Sequence, residues 1–324
     1  MRTMVKIAIG VVVLAALVVV VLVLYANVPA DESPGAAIDY PKEWAFGWEV
    51  MKFIDGVVDW VVVNWYPFFS AINIVVLRGI LVPLKNFLLL LPWWLVIIGT
   101  GLLGWRVVSA KFAGIAMGFL VLMTILGMVD FAMMTLAITL TATLLCVVLG
   151  LPMGIVAARS NRFDGVIRPI LDGMQTMPSF VYLIPVLMLF GLGPTPAVMA
   201  TCIYAIPPII RLTNLGIRQV DPAVVEASHA FGATPWQLLG KVQVPLALPT
   251  ILAGLNQTVM MALAMVVIAS MIGAEGLGTE VLMGIQRLQV GRGFIAGISI
   301  VFMAIILDRV SQGFARRPET QRAT

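Results

Sequence analysis

The chain has 324 residues, of which 61% are hydrophobic and 11% charged, with a mean hydropathy of +1.05. That composition excludes a water-soluble globular domain and a disordered chain, and it implies an integral membrane protein. The formal net charge of +4 fits basic loops facing anionic lipid rather than a nucleic-acid surface.

A helix needs about 20 apolar residues to cross a hydrocarbon core of about 30 Å. The hydropathy pattern predicts eight such runs, near 7–25, 87–106, 112–129, 131–157, 174–192, 195–213, 250–272 and 294–313. The first follows Arg2 and Lys6, is too long for the core of a secretory leader, and ends at Tyr25-Ala26-Asn27, a poor cleavage site. Residues 1–26 are therefore read as a retained membrane anchor. Residues 27–86 place Tyr40, Trp44, Trp48, Trp60, Trp65 and Tyr66 among Glu43, Glu49, Lys52, Asp55 and Asp59. This mixture suits an external segment lying at headgroup level. The sharper alternative is an aromatic cage for a quaternary ammonium ligand, held by cation–π attraction. Residues 87–313 are expected to form an all-α transmembrane core, with a tail at 314–324.

Basic residues set the orientation, because positively charged loops stay cytoplasmic. Arg2 and Lys6, Arg106 and Lys111, Arg159, Arg162 and Arg168, Arg211, Arg218 and Lys241, and the tail Arg316, Arg317 and Arg322 all fall on one side by counting crossings. Both termini are expected in the cytoplasm, provided residues 27–86 cross an even number of times or not at all. Cys146 and Cys202 lie within predicted spans, where they act as small apolar residues. His229 stands alone, without partners for metal or catalytic work. The nearest approach to a phosphate-binding loop, Gly240-Lys241-Val242, lacks the upstream glycine and the hydroxyl. No enzymatic activity, resident cofactor or metal is expected. The eleven residues after the last span leave no room there for a solute-capturing domain, so another protein is expected to capture solute.

Residues 221–245 form a polar stretch between two spans. Asp221-Pro222 is an N-cap acceptor followed by the residue best tolerated at the first helical position, and Gly232 closes the segment, predicting a short helix over 222–231. Thr234-Pro235 repeats the start signal. Trp236, Leu238, Leu239 and Val242 then supply an apolar stripe that Pro245 is expected to stop, giving two short helices set at an angle.

Glu226-Ala227-Ser228, Gly232 and Val242-Gln243-Val244-Pro245 closely resemble the cytoplasmic coupling loop of ATP-binding-cassette importer permeases. That family has Glu-Ala-Ala, three residues, Gly, nine residues and Ile-x-Leu-Pro; Ser228, Val242 and Val244 are its mild departures here. From about residue 85 to 313 the likeness narrows to the osmoprotectant branch that imports glycine betaine, proline betaine or choline. Leu171 to Pro178, Phe180 to Pro185, Pro207 to Arg211, Asn256-Gln257-Thr258, Gly276-Leu277-Gly278 and Asp308-Arg309 carry it. The resemblance implies a type I importer fold of about eight transmembrane helices and a homodimer. It also implies two copies of a separate ATPase that binds the ATP, and a periplasmic or lipid-anchored substrate-binding protein. Glu226, Ala227, Ser228, Gly232 and Pro245, within a loop spanning 214–245, would couple to the ATPase.

Pro178, Pro185, Pro207 and Pro208 break helices at membrane depth, which is tolerated where backbone lines a cavity or is buried in protein. Gln175, Thr176, Ser179, Tyr182, Asn256, Gln257, Thr258 and Ser270 are uncharged polar groups there. They suit either a path for a small methylated-ammonium solute or hydrogen bonding between helices. Glu275 stands where relatives usually carry a small residue. With Gly276 and Gly278 it is a candidate outer gate, able to attract a trimethylammonium head, to pair with Arg287 or Arg292, or to touch the delivery protein. Asp308-Arg309 reads as a local charge pair. Two alternatives stand beside this reading: an importer of an amino acid such as methionine, and an ion-coupled secondary carrier using Asp130, Asp308 or Glu275.

Overall fold

The computed structural model describes residues 47–315, which are helical with no strand among them. The expected span at 7–25, Tyr40, Trp44 and residues 316–324 lie outside the described residues. The chain divides into two units at Trp60. Of the first, residues 47–60 are described, the greater part of helix α1 (Gly47–Asn64). There the Lys52 ammonium stands 5.5 Å from the Trp48 ring centre, and Phe53, Ile54 and Trp60 are exposed.

The second unit is a helical bundle. Its elements are α2 (Tyr66–Leu90), α3 (Trp93–Val107), α4 (Ala110–Ile125), α5 (Val129–Arg159), α6 (Asn161–Thr176), α7 (Ser179–Phe190), α8 (Pro194–Ala205), α9 (Pro207–Arg218), α10 (Pro222–Ala230), α11 (Pro235–Ile272), α12 (Leu277–Gln286) and α13 (Val290–Ala315). Five are long and apolar enough to span a membrane: α2, α5, α8 with α9, α11 and α13. Counted as one span, the bent pair α6–α7 would make a sixth. The shorter apolar helices α3 and α4 occupy the runs expected at 87–106 and 112–129 and form a hairpin, with Ser109 capping α4 by accepting from the Phe112 amide at 3.2 Å.

Close backbone approach builds the centre, as expected where lipid leaves little hydrophobic drive between helices. Gly150 and Gly154 let α5 lie against α9, where a Cβ on Gly154 would stand 2.8 Å from the Ile210 carbonyl oxygen. Gly254 does the same for α11, with the Pro208 carbonyl 3.2 Å away. Cys146 and Cys202 pack between α5 and α8, fully buried, with their sulfurs 3.6 Å apart.

Two expectations are corrected. The run 174–192 is not one continuous helix: α6 and α7 meet at 111°, because Met177 precedes Pro178 and is driven to extended backbone at ψ 133°. Pro245 does not end a helix; it sits in the first turn of the helical stretch Val244–Ala269, just after the widened turn Leu239–Gln243, and α11 runs on through it for 38 residues.

The end of the bundle carrying residues 221–245 is called the loop end. At the far end the Gly193 amide donates to Ile272 at 2.9 Å and the Leu277 amide to the Thr135 hydroxyl at 2.8 Å. Helix α2 is apolar and 25 residues long, and the boundary expected at residue 86 falls inside it. Its two ends nevertheless both meet the far end. The Phe69 ring stacks edge-on to Phe190 at 5.4 Å, and Lys85 pairs with Glu275. Between them Val76 and Leu81 enter the same core as Val186, Val198 and Ile272. Helix α2 thus runs along the far half of the bundle.

Candidate docking loop and translocation path

At the loop end Asp221 accepts from the Ala223 amide at 2.9 Å and starts α10. Gly232 ends it at φ +76°, with its amide bonded to the His229 carbonyl at 2.9 Å. A Cβ at Gly232 would meet nothing within 4 Å, so its requirement for glycine is conformational, not steric. Thr234 and Gln237 form a reciprocal capping box: the Thr234 amide donates to the Gln237 side chain at 2.9 Å, and the Gln237 amide to the Thr234 hydroxyl at 3.4 Å. After Leu238 a wide π-turn, Leu239–Gln243, leads into the long helix.

The loop presents Glu226 and Ala227 outward and half-buries Ser228, whose hydroxyl donates to Val224 at 2.7 Å. The expected apolar stripe divides: Leu238 and Leu239 are buried, whereas Trp236 is 75% exposed. Arg159, at the end of α5, lies 5.0 Å from the Trp236 ring centre. Phe231, 93% exposed, stands beside Gly232 and escaped sequence reasoning, although a large aromatic next to a helix-ending glycine was the available signal. Beneath the loop a cavity of about 480 Å³ is lined by Glu226, His229, Arg159 and Arg218 among others.

A polar network behind that cavity was also unread in the sequence. Asp164 is buried and accepts from Arg168 at 2.8 Å and from Asn214 at 2.6 Å. Arg218 donates to Asn214 and Asn161 at 2.8 Å and to the Ala157 carbonyl at 2.7 Å. It thereby ties α5, α6 and α9 together.

The proposed path residues do not form one set. Gln175, Thr176 and Gln257 are exposed, and Ser179 is half-buried. Tyr182 is buried, bonds the Met174 carbonyl across the α6–α7 bend and packs against Tyr204 with ring centres 6.2 Å apart. Ser270 is turned inward onto the Val267 carbonyl at 2.6 Å. Thr258 is buried with no hydrogen-bond partner for its hydroxyl among the described residues. Asn256 donates to Asp308 at 3.0 Å and accepts from Ser311; Gln312 donates to Asp308 at 2.7 Å. Asp308 is thus held by amides on α11 and α13, and Arg309 points outward, which corrects the expected Asp308–Arg309 pair.

At the far end Glu275 pairs with Lys85 rather than with Arg287 or Arg292. Arg292 instead grips the buried Glu280 through two hydrogen bonds of 2.6 and 2.9 Å. Gly276 has φ +135°; a Cβ there would overlap the Thr135 hydroxyl and stand 3.0 Å from the Thr135 nitrogen. A Cβ on Gly278 would stand 2.9 Å from the Val266 carbonyl. Both glycines are therefore required by close packing against α5 and α11.

The chain is similar to several known proteins. The glycine betaine/proline betaine transport system permease protein ProW of Escherichia coli (strain K12) is 50% identical over 264 residues, covering 80% of this chain and 73% of that protein. The glycine betaine transport system permease protein OpuAB of Bacillus subtilis (strain 168) is 44% identical over 262 residues, 80% of this chain and 92% of its own. The trimethylamine N-oxide transport system permease protein TmoV of Ruegeria pomeroyi is 41% identical over 224 residues, 69% of this chain and 34% of its own. The MetNI methionine ABC transporter in an inward-facing conformation shares the fold at a TM-score of 0.51 and 22% identity, over 56% of this chain and 92% of its own. Residues 150–320, from the middle of α5 through α13, match the binding-protein-dependent transport system inner membrane component, and the chain belongs to that family of importer permeases.

Proposed function

We propose that this permease carries a small methylated-ammonium solute, such as glycine betaine or trimethylamine N-oxide, handed over by a binding protein and driven by a separate ATPase. The observation that carries the coupling half is the left-handed Gly232, set six residues after an outward-facing Glu226 on a loop capped at both its helices. Two such loops, one from each copy in a dimer, would each seat on one ATPase subunit, with Glu226, Phe231 and Trp236 offered outward. The loop end then faces the compartment that holds ATP, in keeping with Arg159, Arg162, Arg168, Arg211 and Arg218 gathering there.

The loop connects directly to the membrane part. Residues 235–238 are the first turn of α11, and Arg159 and Arg218 hold the ends of α5 and α9 beside it. Closure of the two motors would push on the loops, tilt these helices and open the far end, and hydrolysis would reset them. The relatives named for betaines and trimethylamine N-oxide support the solute class.

Reconstitution in liposomes with the ATPase and the binding protein tests this reading, using labelled glycine betaine, choline and trimethylamine N-oxide. Uptake that needs all three components and ATP is expected. Uptake by this chain alone, abolished by collapsing an ion gradient, would overturn it in favour of a secondary carrier.

A further inference from the structure

A second cavity opens at the loop end between α6 and α9. It measures about 320 Å³, at the lower edge of the range of roughly 300–1,000 Å³ that small-molecule sites occupy. Its polar lining is Asp164, Arg168 and Asp172 from α6 and Arg211, Asn214 and Arg218 from α9. We propose that this groove is a loop-side binding site for a small zwitterion bearing a carboxylate. The inference rests on the transport reading above and narrows its solute class to betaines over trimethylamine N-oxide and choline.

The lining has two halves of different character. Asp164, Asn214 and Arg218 are locked to one another and to Arg168, and they form a fixed floor. Arg211 and Asp172 form the open half. They pair with each other, their side chains are 36% and 67% exposed, and neither has a further partner among the described residues. An ion pair so exposed contributes only about 0–1 kcal/mol, so a ligand can part it cheaply.

Charge decides what enters. Three guanidinium groups against two carboxylates leave the lining at +1, which disfavours a net cation, whereas a zwitterion is neutral overall and can set its carboxylate on Arg211 and its cationic head on Asp172. A guanidinium fork accepts a carboxylate through two parallel N–H bonds, and Arg211 has N–H groups to spare. The quaternary ammonium end has no N–H to satisfy and needs only a negative neighbour, which Asp172 supplies. Choline brings a positive charge and no carboxylate, so it meets a net repulsive lining.

The test is saturation binding to the purified permease–ATPase complex without its binding protein, using labelled glycine betaine with choline and acetate as competitors. Glycine betaine should bind saturably and choline should compete at least about tenfold more weakly. Arg211→Gln should weaken betaine binding about tenfold or more, the loss expected for one charge-assisted pair. Arg211→Lys should keep part of it, and melting temperatures should stay unchanged because the Arg211–Asp172 pair is exposed. In Asp172→Asn acetate should close on betaine, since the negative edge that rewards the cationic head is gone. Betaine binding unaltered by Arg211→Gln, or choline competing equally, overturns the proposal. So does an absence of betaine binding with phosphatidylglycerol retained by the complex and lost in Arg211→Gln, which would make the groove a lipid site. Uptake by the complete importer is scored separately. Uptake without Arg211-dependent binding refutes this site alone, whereas failed uptake refutes the transport reading.

Discussion

Gly232→Val should uncouple this permease without unfolding it. Gly232 sits at φ +76°, and a side chain there would meet no atom within 4 Å. The entire cost therefore lies in the backbone: about 1–2 kcal/mol to hold an L-residue left-handed, and somewhat more for a β-branched one. Where docking needs the turn in this conformation, that cost appears as a roughly 5–30-fold weaker complex with the ATPase, at about 1.4 kcal/mol per tenfold. Gly232→Asn should fall between glycine and alanine, because asparagine tolerates the left-handed region. The assay is ATPase affinity and ATP-dependent uptake at matched membrane abundance, with the melting temperature of the permease measured in parallel. Wild-type coupling in Gly232→Val would refute the reasoning. So would a loss of coupling that merely follows a fall in melting temperature.

Gly276→Ala should behave oppositely. Its Cβ would collide with Thr135 at φ +135°, an overpacking expected to cost about 1–3 kcal/mol, visible as a lower melting temperature and reduced yield. Arg159→Ala should free the Trp236 ring from a cation–π contact worth about 0.5–1 kcal/mol at an exposed site, lowering ATPase affinity by less than tenfold and leaving solute binding intact. Lys85→Ala should change stability by no more than about 1 kcal/mol, because the pair with Glu275 is solvent-accessible. A large fall in melting temperature in that variant would mean that the pair anchors α2.

Local chemistry was legible in the sequence, and long-range pairing was not. Asp221, Thr234 and Gly232 announce caps and a turn through their own side chains and φ freedom, so the stretch 221–245 could be drawn residue by residue. Hydropathy averaged over 174–192 hid the bend at Met177-Pro178, because the last turn of the polar α6 blends into the apolar α7. The rule that a residue before proline turns extended held the clue. Pro245 misled in the other direction, since a proline reads alike at the end of one helix and in the first turn of the next. Glu275 could not be matched to Lys85, which stands 190 positions earlier, nor Asp164 to Asn214, 50 positions later. Such contacts depend on how helices are brought together, which no local pattern encodes. The eight candidate path residues show the same limit: residue type places them at membrane depth but not on a face.

The length of α11 makes it a lever. At 1.5 Å per residue its 38 residues extend about 57 Å, from the capping box of the docking loop to Ile272. Its widened turn, Leu239–Gln243, lies at the loop end. A swing of about 5° at that turn, about 45 Å from Ile272, would carry Ile272 roughly 4 Å. Ile272 holds the Gly193 amide through its carbonyl, so the lip where α7 turns into α8 would be dragged along, and a small stroke at the loop would arrive at the far end enlarged.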